Sequence, residues 1–304
     1  MKNGAKSHLA LFAANLIYSA NYSIAKEVMP SFIGPFGFIL LRVLFGTLCF
    51  MTAIFPLRKT KVQREDRMLF FWCAVTGVAV NQLMFFKGLE LTTPIHASLF
   101  MITCPIIVMV ISMFIARGEK ISLPKILGIL LGAIGCVLLV IQGGKIKSSF
   151  NAPNIVLGDL FIFINASSYA VYLVLVKKLT AKYDALTISA WIFFIGMFMV
   201  LPFGAKELSQ VDWSSFDTKA ILDTLYVVIF ATVFAYGLYI YALAKASPST
   251  AGIYIYLQPL LASVFAILYG QDKIDALKII AAILIGAGVY LVTIYHTQRM
   301  ELKK

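Results

Sequence analysis

Residues 85–110 read FFKGLELTTPIHASLFMITCPIIVMV, and residues 239–264 read YIYALAKASPSTAGIYIYLQPLLASV. Each stretch has a Ser or Thr before a proline, continues with small and apolar residues, and reaches a second proline eleven residues later. Apolar residues match easily by chance in a hydrophobic chain, whereas a pair of prolines at the same spacing does not. The chain therefore contains an internal repeat whose copies lie 154 residues apart.

The repeat extends beyond these stretches. Residues 89–140 align with residues 243–294 without a gap at the shift of 154, and a weaker match at a shift of 151 relates the earlier parts of the two copies. The matched pairs include Leu89 with Leu243, Pro94 with Pro248, Pro105 with Pro259, Gly132 with Gly286, Tyr18 with Tyr169 and Lys26 with Lys177. We therefore expect two similar halves, residues 1–142 and 155–304, joined by a linker loop at 143–154.

The composition places both halves in a membrane. Of the 304 residues, 61% are hydrophobic and 13% are charged, and the mean hydropathy is +0.89. A soluble domain has about 25% charged residues. The net charge of +12 would also suit a nucleic-acid-binding protein. The basic residues, however, lie in short clusters between apolar runs, which is typical of loops near anionic lipid, so we expect no nucleic-acid partner.

Ten apolar stretches have the length of about 20 residues that crosses a bilayer as a helix. Prolines, glycines or charged residues stand at most of their boundaries. The predicted spans are 8–26, 33–55, 68–86, 95–116, 124–142, 155–176, 185–204, 220–243, 250–269 and 276–295. The first resembles a signal peptide but contains polar residues and is interpreted as an uncleaved span. The sequence thus predicts an all-α integral membrane protein with five helices in each half.

The orientation of the halves follows from this helix number. Because five is odd, the halves enter the membrane from opposite sides, and inverted repeats of this kind build many secondary transporters with a site between the halves. With a cytoplasmic N-terminus, 17 of the 26 Lys and Arg residues lie inside, 8 lie outside, and Arg42 lies within a span. The positive-inside rule therefore predicts that both termini are cytoplasmic. We expect the protein to lie in the plasma membrane.

The repeated stretches quoted above, together with LIYSANYSIAK at 16–26 and LLRVLFG at 40–46, resemble a known family. The chain is similar over nearly its whole length to the EamA-type, ten-span members of the drug/metabolite transporter superfamily. This resemblance implies a transporter of small molecules, with amino acids, other metabolites or drugs as the range of substrates and export as the frequent direction.

Arg42 is the clearest candidate for a functional residue. It lies about nine residues into its span, roughly 14 Å deep at 1.5 Å per residue. A charge at this depth is costly and marks a functional site by default. Arg42 is expected either to hold a substrate carboxylate or to stabilise a gate, with a structural role against backbone carbonyls as the alternative. The middle of the spans contains no acidic residue, so exchange or facilitated movement remains open beside proton coupling.

Neutral polar residues inside the spans form the rest of the predicted site. Amide and hydroxyl groups beside aromatic rings suit a small amphipathic solute, and hydrogen bonding between helices is the alternative for each residue. The predicted substrate-binding residues are Asn15, Tyr18, Asn21, Tyr22, Arg42, Asn81, Gln82, His96, Asn165, Ser168, Tyr172, Tyr236, Tyr239, Tyr254 and Gln258. We expect them around a cavity formed by the first, third, fourth, sixth, eighth and ninth helices.

Other residues point to helix bending and helix packing. Pro105 and Pro259 each remove a backbone hydrogen bond, so they are predicted hinges, with static kinks as the alternative. The motif Gly128-x-x-x-Gly132 and its repeat counterpart Ala282-x-x-x-Gly286 predict close helix packing away from the substrate.

The motifs that the sequence lacks narrow the mechanism. It has no Walker A sequence, G-x-S-x-G elbow or H-E-x-x-H pair, so we expect neither ATP hydrolysis nor a metal or cofactor. A polytopic membrane enzyme, a facilitative channel and a receptor are the alternatives, and the repeat counts against the enzyme and the receptor. The sequence predicts a secondary transporter, working as a monomer, that moves a small amphipathic metabolite by alternating access, and the resemblance implies export as the direction.

Overall fold

The computed structural model describes residues 2–54, 62–115, 122–143, 152–268 and 276–301. Helices and turns make up this part of the chain, which contains no strand. The first half has helices α1 (Lys2–Val28), α2 (Pro35–Ile54), α3 (Arg64–Leu91), α4 (Pro94–Met101 and Thr103–Ile115) and α5 (Leu123–Gly143). The second half has α6 (Ile155–Leu179), α7 (Ala185–Ser209), α8 (Thr218–Leu243), α9 (Pro248–Ile253, Tyr254–Tyr256 and Leu257–Leu268) and α10 (Ala276–Glu301).

Half of the ten described helices have the length and composition of membrane spans. Five of them, α2, α3, α6, α7 and α8, are long and apolar enough to cross a bilayer as continuous helices. Within α4, α5 and α10, shorter apolar helices are described. The predicted all-α membrane fold is therefore confirmed, and α3 extends five residues beyond the predicted end of the third span, to Leu91.

Irregular backbone occurs at equivalent positions of the two halves. A π-helical segment at Val75–Ala79 interrupts α3, and a longer one at Tyr226–Phe234 interrupts α8 and covers the positions 154 residues later. The break in α4 falls at Ile102, and the 3₁₀ turn of α9 includes its counterpart, Tyr256. The sequence repeat is therefore also a structural repeat, in which both fourth helices are broken just before a proline.

The packing between the halves has the same symmetry. Helix α2 packs on α7, α5 on α10, and α4 on α9, while α3 packs on α6 just as α8 packs on α1. Each of these contacts is reproduced when the two halves exchange roles. Five helices in each half and this exchange of contacts are the arrangement expected of inverted repeats.

A matched pair of lysines illustrates the equivalence. The ammonium group of Lys26 in α1 donates to the carbonyl oxygen of Leu89 at 2.7 Å, near the end of α3. Lys177 in α6 donates to the carbonyl oxygen of Leu243 at 2.6 Å, at the end of α8. A cation at a helix C-terminus satisfies carbonyl groups that have no partner within the helix. Each lysine thus stabilises the end of the third helix in its own half.

Helices α5 and α10 meet through glycines, one of which the sequence did not identify. A β-carbon added to Gly128 would lie 2.8 Å from the carbonyl oxygen of Gly288, and one added to Gly288 would lie 2.5 Å from that of Gly128. The expected contact through Gly286 is wrong, because a β-carbon added there would meet no atom within 4 Å. Gly288 provides the close approach in place of the Gly286 position.

Candidate substrate cavity between the two halves

A cavity lies between the halves and is lined almost entirely by aromatic and neutral polar side chains. About 70 Å³ of it can hold the centre of a water molecule, and its whole empty space, including the mouth, is about 490 Å³. The lining residues are Tyr18, Asn21, Tyr22, Arg42, Asn81, Gln82, Phe85, Met101, Asn165, Tyr169, Tyr236 and Gln258. They come from the six helices expected around the cavity and from α2, which contributes Arg42. A cavity of this size holds water or a small solute, so a larger solute requires the helices to separate.

Nine of the predicted substrate-binding residues line this cavity. They are Tyr18, Asn21, Tyr22, Arg42, Asn81, Gln82, Asn165, Tyr236 and Gln258. Five others, Asn15, Ser168, Tyr172, Tyr239 and Tyr254, lie outside its lining. The side chain of His96 lies outside the described residues. Pro105 and Pro259 are both buried near the breaks in α4 and α9, and their role as hinges stays a prediction.

Most of the five remaining residues make contacts between helices. The hydroxyl of Ser168 donates to the Thr76 carbonyl at 2.7 Å, and that of Tyr239 donates to the Ala251 carbonyl at 2.6 Å. Asn15 accepts a hydrogen bond of 2.8 Å from Gln258 and so supports a cavity residue from behind. For these residues the alternative of hydrogen bonding between helices describes the observed contacts.

Three cavity residues were absent from the predicted set: Phe85, Met101 and Tyr169. Phe85 packs edge-on against Tyr22, with 5.4 Å between the ring centroids. An apolar side chain in an apolar span carries no signal that it faces a cavity. Tyr169 could have been found, because it is the repeat partner of Tyr18, which was predicted.

Arg42 is buried, with 3% of its surface exposed. Its Nε donates to the Thr232 hydroxyl at 2.7 Å, one Nη donates to the Gln82 side-chain oxygen at 2.9 Å, and the other donates to the Ala231 carbonyl at 3.2 Å. The guanidinium carbon lies 4.8 Å from the centroid of the Phe86 ring. All these partners are neutral, and the described lining contains no Asp or Glu. The five N–H groups of an arginine exceed these three bonds, so donors remain for a solute.

The π-helical segments supply part of this network. Thr232 and Ala231 belong to the π segment of α8, and Gly77 belongs to that of α3. The amide of Gln82 donates to the hydroxyl of Tyr236, which in turn donates to the Gly77 carbonyl at 2.9 Å. Because π segments shift the backbone hydrogen bonds of a helix, they are frequent at functional sites. Here both segments contribute to a chain of hydrogen bonds that joins the two halves beside Arg42.

Ion pairs join the halves at both ends of the molecule. At one end, Lys182 in the α6–α7 turn pairs with Asp66 at 2.9 Å, and the hydroxyl of Tyr183 donates to the same carboxylate at 2.8 Å. The hydrogen bond that Lys182 itself donates to Asp66 raises the pKa of the lysine, which stays charged at neutral pH. At the other end, Lys219 of α8 pairs with Glu27 of α1.

Comparison with known proteins agrees with this architecture. The profile of the EamA-like transporter family matches residues 5–141 and again residues 156–294. An uncharacterized transporter of Archaeoglobus fulgidus is 29% identical over 95% of this chain and 97% of its own length. The transporter YetK of Bacillus subtilis is 24% identical over 96% of this chain and 88% of its own.

A plant protein and a solved structure are also similar to this chain. A WAT1-related chloroplastic protein of Arabidopsis thaliana is 27% identical over 89% of this chain and 64% of its own length. One solved crystal structure of a protein has a TM-score of 0.74 at 19% identity and covers 97% of this chain and 98% of its own, which shows a common fold. The two matches to one family profile correspond to the two five-helix sets of the structure, and the chain belongs to the EamA-like transporter family.

Proposed function

We propose that this membrane transporter moves a small amphipathic solute with an anionic group, amino acid-like or drug-like, through the cavity between its halves. The main support for this proposal is that the guanidinium of Arg42 is buried in a cavity whose described lining residues include no carboxylate. A buried charge without an opposite charge costs several kcal/mol. A carboxylate on the solute would provide that opposite charge, and the aromatic rings would contact its apolar part.

Alternating access is the proposed mechanism. The halves, which we take as residues 1–142 and 155–304 with a linker at 143–154, would rock about the cavity. The exchange symmetry of their contacts and the small cavity support this motion. One ion pair would open at a time, Asp66–Lys182 on the cytoplasmic side or Glu27–Lys219 on the outer side. From the family resemblance we propose outward movement of the solute and no enzymatic reaction.

Transport is tested with purified protein in proteoliposomes. Vesicles loaded with a carboxylate solute are expected to take up the labelled solute by exchange, whereas the uncharged amide of the same solute should exchange poorly. Vesicles without protein, and vesicles in which only the amide is present on both sides, are the controls. Equal exchange of acid and amide would contradict the role given to Arg42. Chemical conversion of the solute in place of movement would favour a membrane enzyme.

The proposed topology, a plasma-membrane protein with both termini in the cytoplasm, has its own test. Reporter fusions after residues 62, 120 and 180 are expected to report a cytoplasmic position, and fusions after residues 148 and 210 an outer position. The physical reason is the excess of Lys and Arg in the loops placed inside. A reversed result at two or more of the five sites would contradict this orientation, whatever the transport assay shows.

A further inference from the structure

We infer that a phospholipid with an anionic headgroup binds in a cleft on the outside of the protein, between α1, α9 and α10. Its acyl chain would lie in the cleft, and its phosphate would lie beside His8 and Lys6 near the start of α1. The cleft and the cavity that contains Arg42 have no described lining residue in common. The inference therefore goes beyond the proposed function and does not depend on it.

The cleft is wide and mostly apolar. About 520 Å³ of it can hold the centre of a water molecule, compared with about 70 Å³ of the cavity that contains Arg42. Gly286 keeps the cleft open, because a β-carbon added there would meet no atom within 4 Å. The cleft therefore has room for a hydrocarbon chain. Its described lining residues are His8, Leu9, Phe12, Tyr254, Leu257, Gly286, Val289 and Tyr290.

The depth of the cleft indicates that lipid is its occupant. His8 lies six residues after the start of α1, and Tyr254 lies six residues after the start of α9, so both are roughly 9 Å from those helix ends at 1.5 Å per residue. Headgroups give way to hydrocarbon at about this depth, and tyrosine is enriched there. Leu9 and Tyr290 are 68% and 64% exposed. In a chain that crosses a bilayer, apolar side chains exposed at this depth contact acyl chains.

Polar groups at the same level can bind a phosphate. The Nδ1 atom of His8 and the hydroxyl oxygen of Tyr254 lie 2.9 Å apart. When the hydroxyl donates to Nδ1, the ring proton is on Nε2, which can then donate to a phosphate oxygen. Lys6 is exposed and lies three residues before Leu9, so the two side chains are neighbours on the surface of α1. A flexible lysine beside the cleft thus provides a positive charge.

The charge around the cleft favours an anionic headgroup over a zwitterionic one. Residues 1–26 contain three lysines and no Asp or Glu, and residues 276–300 contain no acidic residue either. Basic residues at the membrane surface attract anionic lipids. Phosphatidylcholine offers the same phosphate but carries a choline cation, which the lysines would repel. Phosphatidylglycerol carries no such cation and matches the site.

The internal repeat provides a comparison within the molecule. The equivalent of His8 at the shift of 151 is Asp159 of α6, whose carboxylate would repel a phosphate. The equivalent of Gly286 at the shift of 154 is Gly132 of α5, where an added β-carbon would collide with the ring of Tyr256. The open, basic cleft is therefore a property of one face of the protein and not a consequence of the repeat.

A lipid in this cleft would hold the two halves together, because α1 belongs to the first half and α9 and α10 belong to the second. The contact of His8 with Tyr254 joins α1 to α9. Two turns farther along α1, Asn15 accepts a hydrogen bond of 2.8 Å from Gln258 of α9. A ligand that binds the folded protein alone raises its stability, so a lipid across this contact should raise the melting temperature.

The lipid site is tested with the purified full-length protein in detergent. Phosphatidylglycerol is expected to raise the melting temperature by about 5 °C more than phosphatidylcholine with the same acyl chains. Native mass spectrometry is expected to show one phosphatidylglycerol molecule retained on the monomer. Glycerol 3-phosphate, which has the phosphate without the acyl chains, is expected to leave the melting temperature unchanged.

Substitutions assign the effect to the cleft. Gly286→Leu fills the cleft and is expected to weaken retention of phosphatidylglycerol about 10-fold, with the lipid-free melting temperature within a few degrees of wild type. Gly237→Leu is the matched control, because a β-carbon at Gly237 of α8 also meets no atom within 4 Å and Gly237 lies outside the described lining of the cleft. Lys6→Gln is expected to reduce the preference for phosphatidylglycerol several-fold, and Lys6→Arg is expected to keep it.

Four outcomes would overturn the lipid site. The first is an equal effect of the two lipids on wild-type protein, and the second is an unchanged preference for phosphatidylglycerol in Gly286→Leu. An equal loss in Gly237→Leu or an equal shift with glycerol 3-phosphate would mean a general effect of added bulk or a site for soluble phosphate. Dimers of wild type that become monomers in Gly286→Leu would instead assign the cleft to a second copy of the chain. Solute exchange through the cavity that contains Arg42 is a separate measurement, so each proposal can fail without the other.

Discussion

Replacing Arg42 by Gln is expected to weaken binding of a carboxylate solute about 100-fold and to leave binding of the corresponding amide within a fewfold of wild type. The reason is that the guanidinium is the charged group of the described lining, and the carboxylate would lose its counter-charge. The Gln side chain is polar and shorter, so it replaces the charge without introducing a large apolar group. Changes in the shape of the cavity would weaken binding of the acid and of the amide alike. The ratio of the two affinities therefore reports the loss of the positive charge alone.

The control variant is Arg42→Lys, which keeps a positive charge and loses the planar fork that reaches Thr232, Gln82 and Ala231. It is expected to retain part of the preference for the acid. Thermal unfolding of each variant in detergent shows whether the helices remain packed. If Arg42→Gln weakened acid and amide equally and lowered the melting temperature strongly, Arg42 would be a structural link between α2 and α8.

Much of the site could be predicted because polar side chains are conspicuous in apolar spans. Arg42, Gln82 and Tyr236 all fall in stretches where a polar group has no water to meet, so each one indicated a partner or a cavity. The repeat then related helices of the two halves, since Gln82 and Tyr236 are 154 residues apart and hydrogen-bond to each other. Sequence reasoning therefore predicted the fold and most of the residues that line the cavity, and their role in substrate binding stays a prediction.

Sequence could not show which polar residues face the cavity. Tyr236 and Tyr239 lie within one turn of α8, yet Tyr236 lines the cavity and Tyr239 bonds to the Ala251 carbonyl beside it. Their facing depends on the rotation of α8, which the π segment at Tyr226–Phe234 alters. Apolar lining residues such as Phe85 and Met101 carried no signal at all. The types of residue in a span therefore identify the side chains that could face the cavity. The rotation of each helix about its axis determines which of them do.

The same dependence on rotation explains the glycines of α10. Successive residues of an α-helix are about 100° apart, so positions two residues apart lie on nearly opposite faces. The repeat alignment pointed to Gly286, which is exposed, whereas Gly288 is buried against α5. The repeat alignment thus identified the correct pair of helices, α5 and α10. It named the wrong glycine of α10, because the residue in contact with α5 lies two positions later in the chain.

Gly288→Leu is expected to destabilise the protein strongly, and Gly286→Leu is expected to be tolerated. A β-carbon at Gly288 would lie 2.5 Å from the Gly128 carbonyl oxygen and 2.9 Å from the Gly132 backbone nitrogen, which are backbone atoms that cannot rotate away. Overpacking typically costs about 1–3 kcal/mol, and a contact with backbone belongs at the upper end, so the melting temperature in detergent should fall by on the order of 10 °C.

Gly286 makes a matched control because it lies in the same helix and receives the same substitution. A β-carbon there meets no atom within 4 Å, so Gly286→Leu adds an apolar side chain to an exposed surface and should shift the melting temperature by only a few degrees. Both variants are compared with wild type by fluorescence-detected melting and by yield in the membrane fraction. Equal melting temperatures for Gly288→Leu and wild type would contradict the close approach of α5 and α10. Strong loss in Gly286→Leu would instead mean that the exposed face of α10 is covered in the membrane.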